Sequence, residues 1–375
     1  VRAPTVAPAA DLGPLVFSRD IDDFVVPNGR EEEWRFAPIR KLGDFLEPAD
    51  WGSVGISGEP DVSVEVVGIS DPRLSQTWMP TDRPSVIARA KATHAVLVTI
   101  AKESIHSSPI VVDLKNSDVN NYLHVEVHAG AFSKSQVVVI HDTSGNVNGS
   151  MLSILDDQAD LTMLSVIDAA EDVIQHLHWF TEVGRDANFL GLSITLGGGV
   201  IRTVPTLTYR APGGKAQMLG AFLLTGHQYQ EHRILVDHTQ PHCVSNVIYK
   251  GALSGEGAHS VWIGDVLVRR EAVGIETYEL NRNLLLTDGP RADSVPNLEL
   301  ETGDVVSAGH ASATGRFDDE QLFYLQSRGI PESIARQLVV RGFFVDVLSK
   351  IDDTELRGSL MRRIESQLGM ADGGS

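Results

Sequence analysis

Thirteen histidines and a single cysteine, Cys243, are the side chains of this 375-residue chain best suited to hold a metal or carry sulfur. His124, Glu126 and His128 alternate, so a strand through them sets all three on one face. His176 and His178 share a face in the same way. Facing imidazoles and a carboxylate suit zinc or ferrous iron; such residues also mark simply the wet side of a sheet. In DHTQPHC, Asp237, His238, His242 and Cys243 fall close together. A lone thiol beside histidines can be a low-pKa sulfur acceptor or a metal ligand; buried in a β-core it is inert. His310 stands in DVVSAGHASATGRFDDEQ, among small residues with little bulk to bury it. It can therefore be an accessible metal ligand, or a plain surface histidine.

Several chemistries are excluded. One cysteine rules out Cys-only zinc sites, a CxxC redox pair and a four-cysteine iron–sulfur cluster held by this chain alone. It also rules out an internal disulfide framework, so a reducing compartment is expected. APGGKAQ (211–217) has glycines and a lysine but neither the spacing nor the hydroxyl of a phosphate-cradling loop. GGG at 197–199 opens no helix, so a dinucleotide fingerprint fails. GxSxG and HExxH are absent. Lys+Arg is 31 against 50 Asp+Glu, a formal charge of −19, which argues against a nucleic-acid partner. No apolar run approaches the roughly 18 residues of a membrane span. The start, VRAPTVAPAADLG, has no signal-peptide apolar stretch. A cytoplasmic location with no membrane contact is expected.

The elements that must position these residues fall into three zones: 1–115, 116–316 and 317–375. The first opens with a Pro/Ala-rich tail expected to be mobile. It continues as NGREEEWRFAPIRKLGDFL, where Asn28 can cap a helix with Glu31, Glu32 and Glu33 in its first turn. Pro38 would end that helix. The second zone reads as strand after strand: Leu123–Val127, Val137–His141, Met151–Leu155, Leu161–Ile167, Phe189–Leu196, Thr206–Tyr209, Met218–Leu224, Val261–Val268 and Leu298–Glu301. Gly, Asn, Asp and Ser clusters separate them. A sandwich, a barrel or a coiled β-solenoid fits such a run. Its length, steady spacing and lack of two-residue hairpin turns favour the solenoid. The third zone is helical. Asp318 and Asp319 start one helix, Gly329 ends it, and Pro331 opens the next. That next helix carries Ile334, Leu338, Val345 and Leu348 at helical spacing, and also Val340, Phe343, Phe344 and Val347. It is therefore apolar on more than one face, and it can close the β-core, dock a partner, or both. Asp352 and Asp353 cap a last helix ending near Gly369.

GREEEWRF (29–36), DHTQPHCVSNVIYKGAL (237–253), NRNLLLTD (281–288), PNLELETGDV (296–305) and HASATGRFDDEQLFYLQSRGIPESIARQLVVRGFF (310–344) together resemble the SufB/SufD family of iron–sulfur cluster assembly scaffolds. The resemblance implies a right-handed parallel β-helix with N-terminal and C-terminal helical regions. It implies a cytoplasmic complex with a SufB-like subunit and a SufC-like ATPase that supplies the missing phosphate loop. The length and single cysteine match the SufD-like side of the family. On that footing the chain is a non-catalytic scaffold subunit. A transient cluster is built at the SufB interface, and no cofactor is held permanently by this chain. His310 matches the family histidine placed there as a metal ligand. Ala308 stands where a cysteine often is, and Cys243 matches a recurrent core cysteine. The ATPase would dock on the helical region through Phe323, Tyr324, Arg328, Gly329, Phe343 and Phe344.

Two other classes remain open. β-Helices also host carbohydrate chemistry, which needs paired carboxylates in a groove; Asp156 with Asp157, or Glu299 with Glu301, are the nearest offerings. The chain could also act alone as a homodimeric interaction protein.

Overall fold

The computed structural model describes residues 16–57, 61–115, 119–317 and 319–368. The Pro/Ala-rich tail, Asp318 and Gly369 lie outside the described residues. Two short strands, β1 (Gly52–Ser53) and β2 (Gly55–Ile56), precede β3 (Val64–Gly68) and helix α1 (Arg83–Lys91). Then come β4 (His94–Ile100), β5 (Ile110–Lys115), β6 (Asn121–Ala129), β7 (Lys134–Asp142), β8 (Val147–Leu155) and β9 (Asp160–Ala169). The run continues with β10 (Ile174–Val183), β11 (Asn188–Gly197), β12 (Val200–Tyr209), β13 (Lys215–Thr225) and β14 (Tyr229–His238). It ends with β15 (Val244–Ser254), β16 (His259–Val268), β17 (Ile275–Leu285), β18 (Arg291–Leu300) and β19 (Val305–Arg316). Three helices follow: α2 (Asp319–Ser327), α3 (Glu332–Leu348) and α4 (Thr354–Gln367).

Even-numbered strands from β4 to β18 stack in parallel as one sheet, and odd-numbered strands from β5 to β19 stack as the other. The result is a parallel β-helix of about 8 turns. The solenoid reading therefore holds over the sandwich and the barrel. Two of its strands, β4 and β5, already lie before residue 116.

The coil forms because each strand alternates, and the alternation stays in phase from rung to rung. One inward column of the even sheet runs Leu207, Val236, Val266 and Leu298. A column of the odd sheet runs Ile110, Val137, Met163, Gly191, Met218 and Val247. Most of these side chains belong to one buried apolar cluster. Glycine appears where a neighbour needs the space: a Cβ on Gly251 would stand 2.0 Å from the Phe222 ring.

The outer faces are covered differently. The N-terminal region lies over the even sheet, and its segment 28–46 corrects the expected helix. Only two 3-10 turns, Glu32–Trp34 and Gly43–Phe45, form there. Glu31 accepts from the backbone N–H groups of Asn28 and Gly29, both at 3.0 Å, so the side chains close a loop where a helix cap was expected. Tertiary contact outweighs helix propensity here. Trp34 is buried against Val261 and Ile263 of β16, and the Arg202 guanidinium stacks 4.0 Å from its ring. Arg202 is itself buried beside Asp82, Glu231 and Glu33. The charges of this cluster compensate one another in a region where a lone charge would be costly.

The C-terminal helices cover the odd sheet. Val340, Phe344, Val347 and Leu348 of α3 pack in one cluster with Leu192, Ile194, Leu219 and Ala221. Lys250 Nζ reaches out from β15 to both carboxylate oxygens of Asp346 at 2.6 Å, and Arg363 holds Asp168 at 2.8 Å. Gly329 has φ +80°, the left-handed value that ends α2 without strain. Pro331 is the residue flanking α3, one position before its expected place in the first turn.

Truncating Phe344 to Ala should remove about 3–5 kcal/mol of this docking. Amides of 332–348 should then exchange faster with solvent while the coil strands keep their protection. Unchanged exchange in α3 would contradict the packing described.

Candidate functional site at the open end of the coil

The two ends of the coil are unlike. At the start, β3 pairs antiparallel with β4 and β2 pairs antiparallel with β5, so the first rung is capped. At the other end β18 and β19 are the last strands of their sheets, and no further strand pairs with either among the described residues. Many of their side chains are half-buried or exposed, although equivalent positions one rung earlier are mostly buried. Two adjacent edges of unpaired backbone groups invite another chain.

The interior changes character as it reaches this end. The column that is apolar or glycine from Ile110 to Val247 continues as Glu279 and finishes as His310. Two further inward columns pass through Asn281 to Ser312 and through Asn283 to Thr314. Asn283 Nδ2 donates to Asn281 Oδ1 at 2.7 Å, to Ser294 Oγ at 3.1 Å and to Thr314 Oγ1 at 3.3 Å. The last two rungs are thus lined by a connected polar network.

His310 is 42% exposed at the side chain, with Nδ1 3.9 Å from Glu279 Oε1. That is too long for a hydrogen bond. Ala308 pairs with Thr277 two residues earlier, so it shares the inward face. A cysteine at that position would point the same way as His310, and the alanine removes the thiol from this face. Glu279 is 1% exposed, and neither of its oxygens accepts a hydrogen bond. Burial, reinforced by the nearby charge of Asp265, pushes its carboxyl up to about 8.

The other sequence candidates resolve differently. His124, Glu126 and His128 do share a face. It is the outer face of β6, roofed by the N-terminal region, and not a metal site. His124 Nε2 and His128 Nε2 each lie 2.8 Å from an oxygen of Glu126, and the Ser75 N–H donates to the same carboxylate at 2.7 Å. Burial opposes ionisation there, but these partners prevail and hold Glu126 down at about 2. His176 Nε2 faces Asp82 Oδ2 at 3.0 Å, and His178 lies between Ser85 and Thr206. No group of three or more His, Cys, Asp or Glu suited to a metal occurs among the described residues.

Cys243 is fully buried, and burial pushes its thiol up to about 11. The low-pKa reading is corrected: this sulfur is protonated and enclosed near the Pro241 and Ala211 carbonyls. His238 beside it is buried against Tyr209 and Ser245, and Asp237 pairs with Arg269. Cys243 and His310 are not brought together. Val244 pairs with Glu276, which puts Cys243 two rungs below β19 and about 13 Å back along the strand.

Of the proposed docking residues, Phe323 and Tyr324 are open, at 71% and 56% exposure. The exposed Arg328 lies over the Tyr324 ring at 5.0 Å. Gly329 serves the turn. Phe343 is half-buried beside Lys250. Phe344 is wholly buried in the helix–sheet seam, so it is corrected from a surface contact to a core residue. The expected two-sided helix is real: Ile334, Leu338 and Val345 face outward while Val340 and Phe344 face in. Asp156 is occupied by Arg210, and Asp157 accepts from the Arg185 backbone N–H. Glu301 accepts from the Arg270 N–H at 3.1 Å.

Glu279, Asn281 and Asn283 were not singled out from the sequence. The available signal was the rung spacing: inward partners lie 26 residues apart at 137 and 163, and 32 apart at 247 and 279. Counting back one rung from His310 reaches Glu279.

The coil is thus a stack of rungs capped at its start, with an open, polar-lined end among the described residues. Residues 112–343 match the family model described as SUF system FeS cluster assembly, SufBD core domain. Iron–sulfur cluster assembly SufBD family proteins of Mycobacterium bovis and Mycobacterium leprae are each 42% identical over 372 residues. These alignments take in 96% of this chain and 94% and 95% of those proteins. The iron–sulfur cluster assembly protein SufD of Escherichia coli is 27% identical over 186 residues, 50% of this chain and 44% of that protein. The chain belongs to the SufBD family of iron–sulfur cluster assembly proteins. No described helix is long and apolar enough to cross a membrane.

The buried titratable groups set the pH response. Burial lowers His141, His178 and His238 to about 4 and His232 to about 3. A lowered histidine favours the folded state above its unfolded value near 6.5, and that contribution is lost as pH falls toward 4. Glu279 and Glu33, raised to about 8 and 7, act oppositely. Their contribution is full below about 4.5 and is lost as pH rises through those values. The melting temperature should therefore climb from pH 4 to about 6.5 and decline from there toward 8. Melting curves that superpose at pH 5, 6.5 and 8 would contradict these assignments.

Proposed function

We propose that this chain is the SufD-like subunit of an iron–sulfur cluster assembly complex in the cytoplasm. It pairs with a SufB-like subunit through the open end of its coil. The observation that carries this reading is the pair of unpaired edges, β18 and β19, enclosing a column that ends in His310. Edge pairing would extend both sheets into the partner and cover that column. His310 then offers an imidazole opposite thiolates from the partner. Mixed His and Cys ligation is sound chemistry for iron–sulfur centres. Few ligands from each side suit a cluster that is cargo and must leave.

A SufC-like ATPase docks on α2 and α3. Support comes from the outward Phe323, Tyr324, Ile334, Leu338 and Val345, since exposed apolar groups of this size on the two helices mark an interaction surface. The same helices are fixed to the odd sheet by Phe344 and Lys250. Closure of two ATPase copies on ATP would therefore reach the coil as a population shift at the subunit interface. The scaffold does no bond-breaking of its own; ATP hydrolysis belongs to the partner. In the absence of a SufB-like subunit, the same edges can pair two copies of this chain.

Two variants test this. Replacing His310 with Ala should leave complex assembly intact and lower cluster yield in anaerobic reconstitution; normal yield would remove His310 from the site. Changing Phe323 and Tyr324 together to Glu should release the ATPase in co-purification while the SufB-like partner stays bound. Retention of the ATPase by that double variant would place its docking surface elsewhere.

A further inference from the structure

We propose that Glu279 is a ligand-side partner of His310, and that the two together form an N,O foothold for a ferrous ion at the open end of the coil. This rests on the reading of that end as the assembly site. Glu279 is a carboxyl group, which yields its proton to solvent when a cation binds, at a position that is apolar or glycine for six rungs below it, and neither oxygen has a hydrogen-bond partner. A buried acceptor left unpaired costs free energy, and native structures keep such groups where something else will engage them.

The surroundings are shaped for that engagement. On the facing sheet Gly264 lies beside the carboxylate, and a Cβ there would stand 2.3 Å from Glu279 Oε2. Below, the column returns to Val247; above, it meets only His310, whose Nδ1 faces Oε1 at 3.9 Å. Two ligands on one tetrahedral ion at bond lengths of about 2.1 Å sit about 3.4 Å apart. A rotamer adjustment at the open rung therefore brings both onto one metal. An imidazole and a carboxylate are the donor types of non-haem ferrous sites, whereas thiolates select soft metals and clusters. Two ligands leave the remaining positions open to the partner's donors. The coil end would thus receive iron first as Fe²⁺.

The test is anaerobic titration of the purified full chain with Fe²⁺ against a chromogenic chelator. One ion per wild-type chain is expected. Glu279→Gln, nearly isosteric and uncharged, should weaken binding by about tenfold or more, as should His310→Ala, while Ser312→Ala should bind as wild type. Glu279→Asp withdraws the charge by one methylene and should also bind more weakly, which keeps the test decisive should Glu279→Gln fold poorly. Wild-type affinity in Glu279→Gln or Glu279→Asp, or no stoichiometric ion on the wild-type chain, overturns the inference. Cluster yield with the partners decides separately the reading on which it rests. Loss of yield in His310→Ala, with unaltered iron binding in Glu279→Gln, would sink this inference and leave the assembly site standing.

Discussion

A parallel coil satisfies its backbone and buries its side chains by placing each rung on the one before. The last rung has nothing above it. Its edges carry unpaired N–H and C=O groups, and its inward side chains have a floor but no roof. Everything distinctive about this protein follows from how it treats that constraint. The first rung is closed by antiparallel strands. Among the described residues the last stays open and polar, with Glu279, Asn281 and Asn283 beneath His310, Ser312 and Thr314. A coil built only to be stable would have capped both ends.

The remaining surfaces are spent on holding the coil in a larger frame. Polar outer columns of the even sheet accept the N-terminal region through Asp82, Arg202 and Trp34. Histidines that might have bound metal serve there as hydrogen-bond partners for carboxylates. The odd sheet accepts α3, whose inner face is consumed by that packing and whose outer face is left free. One helix thereby touches the coil and keeps an exposed apolar face, which is what the proposed coupling to an ATPase would need.

Much of this was legible in the sequence, because alternation and spacing are local. Eight of the nine strand segments read from the pattern fall wholly inside observed strands, and Leu298–Glu301 overruns β18 by one residue. The two apolar faces of α3 were legible for the same reason. The helix expected from Asn28 to about Pro38 failed because Trp34 gains more by packing on β16 than its neighbours gain by helix formation. The low-pKa reading of Cys243 failed because the turn between β14 and β15 sets the sulfur into the apolar interior of the coil, where burial disfavours the thiolate whatever its sequence neighbours are. Glu279 escaped notice because its meaning lies in its rung. That register depends on turn lengths of several coils, which no local window contains.

The most direct measurement of the central claim is hydrogen exchange on this chain, alone and with a SufB-like partner, read strand by strand. If the open coil end is the assembly interface, protection on mixing should rise over 291–300 and 305–316, while β4 to β15 and the outer face of α3 stay unchanged. Strong complex formation with no added protection in β18 or β19 would contradict the account.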